Sequence, residues 1–281
     1  MTSTGTASSF DNEVSRGQRF EFGKNWRSFL DMLNEQRIDE AVKSLQTMLR
    51  VTTLDGLSFV DAGSGSGLFS LAAMRLGARV VSFDFDPSSV WCTNELRNRF
   101  YRGDPRWEVH QGSVLDAEFV ASLGHFDLVY SWGVLHHTGQ LWRAMDLAAS
   151  MVAPGGKFFV GLYNDSDRPA RYWLAVKKLY CRLPRAFKPL VLYPAAVQIW
   201  GPRMLLEFAL GRPFHSWRHY KERRGMSPWH DVVDWVGGYP YEVSTPHQVF
   251  EFGRQRGFVL DNLMSTIDNG ISQFVFVKRQ A

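Results

Sequence analysis

Two adjacent histidines, His136 and His137, follow an apolar run that ends at Trp132. Imidazole titrates near neutral pH, so a histidine can remove a proton from a substrate hydroxyl as a general base. We expect His137 to be the base, and His136 either to share this role or to pack beneath the site. His230 is a rival because Asp231 follows it and could orient its ring, although a histidine among tryptophans is more often structural.

A glycine-rich stretch, DAGSGSG at 61–67, lies between an apolar run and a helical pattern. This order predicts a strand, a tight turn and a helix. Glycine lets the backbone approach a ligand, and the first helical turn offers unpaired N–H groups, so we expect a polar ligand here. The spacing differs from the dinucleotide fingerprint, and Asp61 would repel a pyrophosphate but suits a cationic group. A plain turn that binds nothing is the alternative.

A second buried strand is predicted over 78–84, and it ends at Asp84. An acid at this strand tip is well placed to accept both hydroxyls of a ribose. Phe85 can lie against an adenine ring. Asp86 precedes Pro87, so we interpret it as a helix N-cap rather than a ligand.

Strands and helices continue to alternate up to residue 163. Alternation of this kind indicates a parallel, doubly wound α/β sheet, with the glycine turn, Asp84 and the histidine pair at one rim. A helix is expected from the histidine pair to Met151, and the last two strands are expected to pair antiparallel. Further strands are predicted at 107–111, 126–132, 158–163, 258–260 and 273–278, and a turn at 152–157.

In order and spacing, these stretches resemble class I S-adenosylmethionine-dependent methyltransferases across about residues 55–164. In that family the glycines pass under the amino-acid part of the cofactor, and the end of the third strand holds the adenine. The resemblance therefore implies a Rossmann-like, seven-stranded mixed sheet that binds S-adenosylmethionine. The implied cofactor-binding residues are Asp61, Gly63, Ser64, Gly65, Gly67, Asp84, Phe85, Ser113, Val114, Ser131 and Trp132. The family more often has Asp where Ser113 stands, so that contact is expected to be weaker or made differently.

Four segments are expected along the chain. Residues 1–50 form a tail and a helical layer, 51–163 the cofactor-binding core, 164–242 a helical insertion or lid, and 243–281 the last helix and two closing strands. The first ten residues are rich in Ser and Thr, which favours a disordered tail over a signal peptide, with helix from about residue 11. Phe20, Phe22 and Trp26 either pack against the main domain or cover the cofactor.

The insertion is strongly basic. Residues 164–224 carry a net charge of +9, whereas the rest of the chain carries −5. A solvated helix face is the default interpretation. The alternatives are an anionic acceptor held by Arg168 or Arg171, and contact with a membrane surface or RNA. Helical patterns are expected to break at Pro184, Pro189, Pro194, Pro202 and Pro213. The predicted substrate residues are Tyr163, Arg168, Arg171, Trp229, Asp234 and Glu242, the last two with loop and cap roles as alternatives.

Composition sets further limits. The chain has 281 residues, of which 45% are hydrophobic, and no apolar run approaches the roughly 18 residues that span a bilayer. Cys92 and Cys181 lie far apart, which suggests neither a disulfide framework nor a zinc site. We therefore expect a cytoplasmic protein with no metal.

The expected activity is methyl transfer to a small molecule or glycan. The Val-Leu-His-His-Thr run is similar to those of sugar O-methyltransferases and quinone-biosynthesis enzymes. It implies in-line O-methylation with a histidine base, and N- or C-methylation of a metabolite is the nearest alternative. A different class is a binding module that has lost catalysis and engages RNA, membrane or a partner through the basic insertion. A nucleotide-dependent oxidoreductase is disfavoured by the glycine spacing.

Overall fold

A computed structural model describes residues 3–30, 32–220, 227–266 and 270–280. Within them, seven strands form one sheet: β1 (Ser58–Ala62), β2 (Arg79–Asp84), β3 (Trp107–Gln111), β4 (Phe126–Trp132), β5 (Val152–Tyr163), β6 (Phe258–Met264) and β7 (Ile271–Lys278). The order is β3-β2-β1-β4-β5-β7-β6, and β7 runs in the direction opposite to the other six strands. The predicted Rossmann-like, seven-stranded mixed sheet is confirmed.

Helices cover both faces of the sheet. They are α1 (Ser3–Ser15), α2 (Gly23–Leu30), α3 (Glu35–Leu49), α4 (Leu68–Arg75), α5 (Pro87–Phe100), α6 (Ala117–Leu123), α7 (Leu141–Ser150), α8 (Arg168–Arg182), α9 (Pro189–Ala209), α10 (His215–Arg218), α11 (Pro228–Gly237) and α12 (Pro246–Gln255). Successive strand residues point to opposite faces, so Phe59 joins one apolar cluster and Val60 the other. Continuous apolar strands follow from burial on both sides.

Parallel pairing of β1 with β2 and β4 brings three strand ends to one rim. Asp61 pairs in register with Ser82 of β2 and with Tyr130 of β4. The turn after β1 needs glycine: Gly67 has φ +82°, and a Cβ there would lie 2.8 Å from the Cα of Thr93. Because the chain turns so sharply, α4 begins directly above the rim.

Two boundaries near the rim differ from the prediction. The turn expected at 152–157 belongs to β5, because a bulge opposite 126–128 lets the strand pair with β4 from Val152 onward. The helix expected from the histidine pair to Met151 is divided into a 3₁₀ turn, Leu135–His137, and α7. Gly139, at φ +78°, reverses the chain between them.

The N-terminal layer begins earlier than predicted. A disordered tail was expected over the first ten residues, but α1 begins at Ser3. The expectation was wrong because Phe10 is buried, with its ring edge-on to that of Phe85 at a centroid distance of 5.5 Å. Helix α2 is attached to α5 through the Asp86 carboxylate, which accepts the Gly23 N–H at 2.8 Å.

The insertion has an apolar cluster of its own. Helices α8, α9 and α11 bury side chains that include Trp173, Tyr180, Leu192, Trp200, Val232 and Val236. Pro194 and Pro202 lie inside α9, so the breaks expected at these two positions were wrong. Both prolines are exposed, and packing of the opposite face through Leu192, Ala195 and Trp200 retains the helix.

Both ends of the insertion meet beside β5. Asn164 and Ser244 form an isolated bridge. The Ser244 N–H donates to the Tyr163 carbonyl at 3.0 Å, and the Asp165 N–H donates to the Ser244 carbonyl at 3.1 Å. The insertion therefore leaves and re-enters the sheet at one point on the rim.

Replacement of Asp86 tests how α2 is held. In Asp86→Ala, α5 loses its N-cap acceptor for the Ser88 N–H, and the Gly23 N–H loses its partner. We expect urea unfolding to show a loss of about 2–4 kcal/mol, from about 1 for the cap and about 1–3 for a buried unpaired donor.

Asp116→Ala is the matched control. Asp116 caps α6 by accepting the N–H groups of Glu118 and Phe119, without joining two helices. It should cost only about 1 kcal/mol. Equal losses in the two variants would show that the bond to Gly23 contributes nothing.

Candidate functional site

A cavity of about 930 Å³ lies over the rim where the parallel strands end. Its wall is formed by the N-terminal layer, the glycine turn, the ends of β2 and β3, the histidine turn and the insertion. The volume is near the upper end of the range for small-molecule sites, and most of the wall is aromatic or aliphatic. One cavity thus receives side chains from segments far apart in sequence.

Asp61 lines this cavity at the end of a buried hydrogen-bond chain. Its carboxylate accepts the Ser70 hydroxyl proton at 2.5 Å. Since the Ser70 proton is used there, the Ser82 hydroxyl donates to Ser70 at 2.8 Å, and the Trp107 indole N–H donates to Ser82 at 2.9 Å. The carboxylate is therefore fixed in orientation from behind.

Burial changes the charge preference of Asp61. Desolvation raises the pKa of Asp61 to about 7, with a smaller contribution from the negative charge of Asp84, while the Ser70 hydrogen bond acts in the opposite direction. A cationic group beside the carboxylate would favour its ionised form. This wall is suited to a positively charged part of a ligand.

Asp84 holds the shape of the glycine turn. One of its carboxylate oxygens accepts the Gly65 N–H at 2.9 Å and the other accepts the Asp86 N–H at 2.9 Å. Burial raises the pKa of Asp84 to about 6, and the negative charge of Asp86 makes a smaller contribution in the same direction. The side chain also lines the cavity, where it can accept further hydrogen bonds from hydroxyl groups.

The glycines leave room that a side chain would fill. A Cβ on Gly63, at φ +86°, would lie 2.3 Å from Val134, and one on Gly65 would lie 3.2 Å from the Trp26 indole nitrogen. Backbone therefore forms the floor of the cavity at this point. Gly67 is instead the N-cap residue that precedes α4, and it is absent from the described wall.

The far end of the cavity has the features expected of an adenine site. Phe85, Ser113 and Val114 all line it. The Ser113 hydroxyl accepts the Leu115 N–H at 3.1 Å, which fixes the turn after β3. The Arg19 guanidinium carbon lies 5.0 Å from the centre of the Phe85 ring, and Phe10 contacts that ring edge-on.

Ser131 and Trp132 differ in position. The Ser131 hydroxyl is fully buried and donates to the Ala62 carbonyl at 2.8 Å, so it links β4 to β1 and lies outside the described wall. The Trp132 side chain is 39% exposed and lines the cavity. The prediction of a cofactor contact therefore has structural support for Trp132 but not for Ser131.

The two histidines of the pair occupy different environments. His137 lines the cavity, whereas His136 is fully buried behind it. His136 accepts the Tyr163 N–H at Nδ1, and burial lowers its pKa well below the usual value. The structure therefore favours the packing role for His136.

His137 is held by a backbone carbonyl and a side chain from two other segments. Its Nδ1 lies 2.6 Å from the Pro240 carbonyl oxygen, which can only accept, so the ring proton is on Nδ1 and the lone pair on Nε2. Arg19 donates to the His137 carbonyl at 3.1 Å. Burial lowers the pKa of His137 to about 3, against the opposing effect of the Pro240 hydrogen bond.

The rival base, His230, is not brought to the cavity. It is exposed in the first turn of α11, where its Nδ1 lies 2.9 Å from the Ser227 hydroxyl. Asp231, which was expected to orient it, instead accepts the Tyr220 hydroxyl at 2.6 Å and lines the cavity itself. Helical geometry directs neighbouring side chains in different directions, so adjacency in sequence was misleading here.

Only some of the predicted substrate residues line the cavity. Tyr163 and Asp234 line the cavity, whereas Trp229 packs against Tyr193 and is outside the described wall. Arg168 and Arg171 are exposed at the start of α8, also outside it. Glu242 accepts the Leu141 N–H at 3.0 Å and therefore has the capping role at α7.

Several residues of the wall were not predicted from the sequence. They are Phe10, Arg19, Trp173 and Asp231, together with Ser70 behind the wall. Ser70 could have been found as a polar residue on the apolar face of a predicted helix. Arg19 and Phe10 gave no comparable signal, because they act through contacts with residues more than sixty positions away.

Comparisons with known proteins agree with this geometry. Residues 60–160 match a family described as "Methyltransferase domain". A ubiquinone biosynthesis O-methyltransferase of Xanthomonas oryzae is 29% identical over 198 residues, which cover 68% of this chain and 77% of that protein. Another, from Methylobacterium, is 32% identical over 115 residues, covering 41% and 44%.

Solved structures share the fold. Magnesium protoporphyrin IX methyltransferase from Synechocystis, with bound SAH, superposes with a TM-score of 0.51 at 14% identity over 86% of this chain and 82% of that one. PKMT2 from Rickettsia typhi, in complex with AdoHcy, gives 0.54 at 12% identity over 85% and 54%. Residues 60–160 therefore match a methyltransferase domain, and the described sheet shares the fold of these solved structures. The protein is an S-adenosylmethionine-dependent methyltransferase.

The described residues fit this cofactor. Gly63 and Gly65 leave a backbone floor, Asp61 offers an acid for the cationic amino-acid end, and Asp84 offers oxygens for the ribose. Phe85 and Val114 line the same cavity and offer apolar surfaces against which an adenine ring could lie. No group of three or more His, Cys, Asp or Glu side chains that could hold a metal occurs in the described part of the chain.

Cofactor affinity should depend on pH through these acids. Below pH 7 the Asp61 carboxyl is protonated and loses its attraction for a cation, so affinity should rise as pH increases through about 7. Titration calorimetry with S-adenosylmethionine should show Kd falling by up to about tenfold per pH unit below that value. Asp61→Asn should bind weakly at pH 8 and lose the dependence near pH 7, keeping only the change near pH 6 that Asp84 causes.

Asp127→Asn is the control for this titration. Asp127 is an exposed carboxyl near the start of β4, hydrogen-bonded to Ser58, and its pKa lies below the usual value. Its replacement should leave both the affinity and the pH profile unchanged. A wild-type affinity that is flat between about pH 5 and 8 would contradict the assignment of Asp61.

Proposed function

We propose that this enzyme methylates an oxygen of an aromatic or otherwise apolar small molecule, with His137 as the general base. One observation carries the proposal. Among the described residues, His137 is the only histidine on the cavity wall, and its Nδ1–H is held by the Pro240 carbonyl. Nε2 is then the basic atom, in a fixed ring orientation.

Methyl transfer to a hydroxyl requires the protein to align the acceptor oxygen with the methyl group and to accept the hydroxyl proton. Bound S-adenosylmethionine supplies an already activated methyl group. His137, with its pKa near 3, is neutral throughout the physiological range, so Nε2 can accept a hydrogen bond from an acceptor hydroxyl and orient it. A base this weak takes the proton late, as the oxygen becomes acidic during transfer.

The part of the wall formed by Tyr163 and the insertion indicates the kind of acceptor. Tyr163, Trp173 and Trp235 give it flat apolar surfaces, and Asp231 and Asp234 give it acidic groups. Carboxylates would repel an anion, so the anionic acceptor that was considered from the basic insertion is not favoured. The similarity to ubiquinone biosynthesis O-methyltransferases supports an oxygen acceptor.

A sugar hydroxyl is the second candidate. Tryptophan faces combined with carboxylates, as in Trp173 and Trp235 with Asp231 and Asp234, also suit a glycan, because the rings can stack on its apolar face and the acids accept from its hydroxyls. A panel of catechols, phenolic acids and simple glycosides, assayed for S-adenosylhomocysteine formation, separates the two candidates. Turnover of amines alone would contradict O-methylation.

Replacement of His137 tests the base. In His137→Gln, kcat should fall by about 10²- to 10⁴-fold because no group of suitable basicity replaces Nε2. Cofactor Kd should be unchanged, since the ring belongs to the acceptor side. His230→Gln is the matched control and should retain full activity because His230 is exposed outside the wall. A fully active His137→Gln enzyme would exclude a histidine base.

Replacement of the two surface arginines tests the charge of the acceptor. Arg168 and Arg171 are exposed, and Arg171 lies 3.9 Å from Asp167. Because neither lines the described wall, Arg168→Ala with Arg171→Ala should leave KM and kcat unchanged for a neutral aromatic acceptor. Asp234→Asn should raise KM for the same acceptor. A large KM increase in the arginine variant would instead indicate an anionic acceptor.

A further inference from the structure

Helix α9 presents apolar side chains to solvent. Over the described residues, every large apolar side chain that is at least 60% exposed lies within residues 190–210. These seven are Leu190, Tyr193, Val197, Leu205, Leu206, Phe208 and Leu210. A contiguous exposed apolar surface of this kind marks an interaction site in soluble proteins.

The spacing shows that α9 is apolar on two faces. Leu192, Ala195 and Trp200 are buried against α8 and α11, whereas Leu190, Tyr193 and Val197 recur on the solvent side at intervals of three and four. A helix with apolar residues all round is ordinarily buried on all sides. The outer face of α9 therefore needs an apolar partner.

The charged side chains of α9 lie near its C-terminal end and make hydrogen bonds within the insertion. Arg203 and Glu207 pair with each other, and both bond to Ser216 of α10. They keep the end of α9 fixed to the insertion without covering its outer face. None of the helices in the described ranges is both long and apolar enough to cross a membrane.

Basic residues flank this apolar face. Residues 178–218 contain seven Lys or Arg and a single acid, Glu207. Arg182 and Arg185 are exposed just before α9, and Arg212 and Arg218 are exposed after it. Apolar side chains between clustered cations are complementary to an anionic lipid surface, where the rings and aliphatic chains enter the headgroup boundary and the cations meet phosphate.

The same helix reaches the active-site cavity. Ile199 of α9 and Trp173 of α8 line the cavity wall, and the Tyr172 hydroxyl donates to Gln198 at 2.6 Å. Helix α9 thus separates the cavity from the exposed apolar face. An apolar acceptor held in a bilayer would meet the enzyme next to the site that uses it.

We propose that α9 and its flanking basic residues form a docking surface for an anionic lipid bilayer, with α9 lying at the headgroup boundary. The docking does not depend on which atom is methylated or on the identity of the base. Vesicle binding can therefore succeed or fail independently of the proposed reaction.

Co-sedimentation of the full chain with vesicles tests the proposal. We expect binding to phosphatidylcholine vesicles that contain phosphatidylglycerol, weaker binding to phosphatidylcholine alone, and release as salt is raised. Leu205→Asp with Phe208→Asp should lower the partition coefficient about tenfold or more, because the charges oppose insertion. Equal binding by this variant and the wild type would overturn the proposal.

A matched control distinguishes vesicle binding through α9 from nonspecific binding of exposed apolar residues. Val259 and Leu263 are exposed apolar residues of β6, and Val259→Asp with Leu263→Asp makes the same change of charge. This variant should bind vesicles as the wild type does. Equal losses in both variants would show that the vesicle contact is not made by α9.

Light scattering and RNA binding test the alternative partners for the exposed face of α9, a second copy of the chain and RNA. A monomeric protein in solution that binds anionic vesicles supports the proposal. A stable dimer that Leu205→Asp with Phe208→Asp dissociates, with no vesicle binding by the wild type, would assign α9 to a second copy of the chain. Binding to single-stranded RNA without vesicle binding would likewise overturn it.

Discussion

The structure depends on two carboxylates buried side by side at the rim of the sheet. Parallel pairing of β1 with β2 places Asp61 and Asp84 at neighbouring strand ends, and burial raises both pKa values. The protein holds them with donors that it supplies itself: the Ser70 hydroxyl at Asp61, and the N–H groups of Gly65 and Asp86 at Asp84. A ligand that brings a cationic group and hydroxyl donors to this wall would favour the ionised form of both carboxylates.

Closure of the cavity relies on backbone contacts between distant segments. The Phe20 N–H donates to the Tyr239 carbonyl, the His137 ring N–H donates to the Pro240 carbonyl, and the Glu242 N–H donates to the His136 carbonyl. Arg19 joins both ends of the site, since it contacts the Phe85 ring and the His137 carbonyl. The N-terminal layer and the end of the insertion therefore position the same histidine turn from two sides.

Local patterns were enough to predict the sheet and several residues that the structure places on the cavity wall. Strand runs, glycines at positive φ and acids at strand ends are encoded within a few residues, so Asp61, Gly63 and Asp84 were found. The acceptor side depends on where long helices cross, which periodicity does not encode. His230, Trp229 and Arg168 were therefore expected at a site that they do not reach, while Arg19 and Trp173 were missed. Pro194 and Pro202 misled for a related reason, because tertiary packing retained the helix through them.

The bridge between Asn164 and Ser244 has an evolutionary consequence. Because the insertion leaves and returns at one point beside β5, its length and helices can be exchanged with little effect on strand register elsewhere in the sheet. The family match ends at residue 160, just before this point. The architecture thus allows the insertion to change in length and sequence while residues 60–160 keep the sheet and its strand ends.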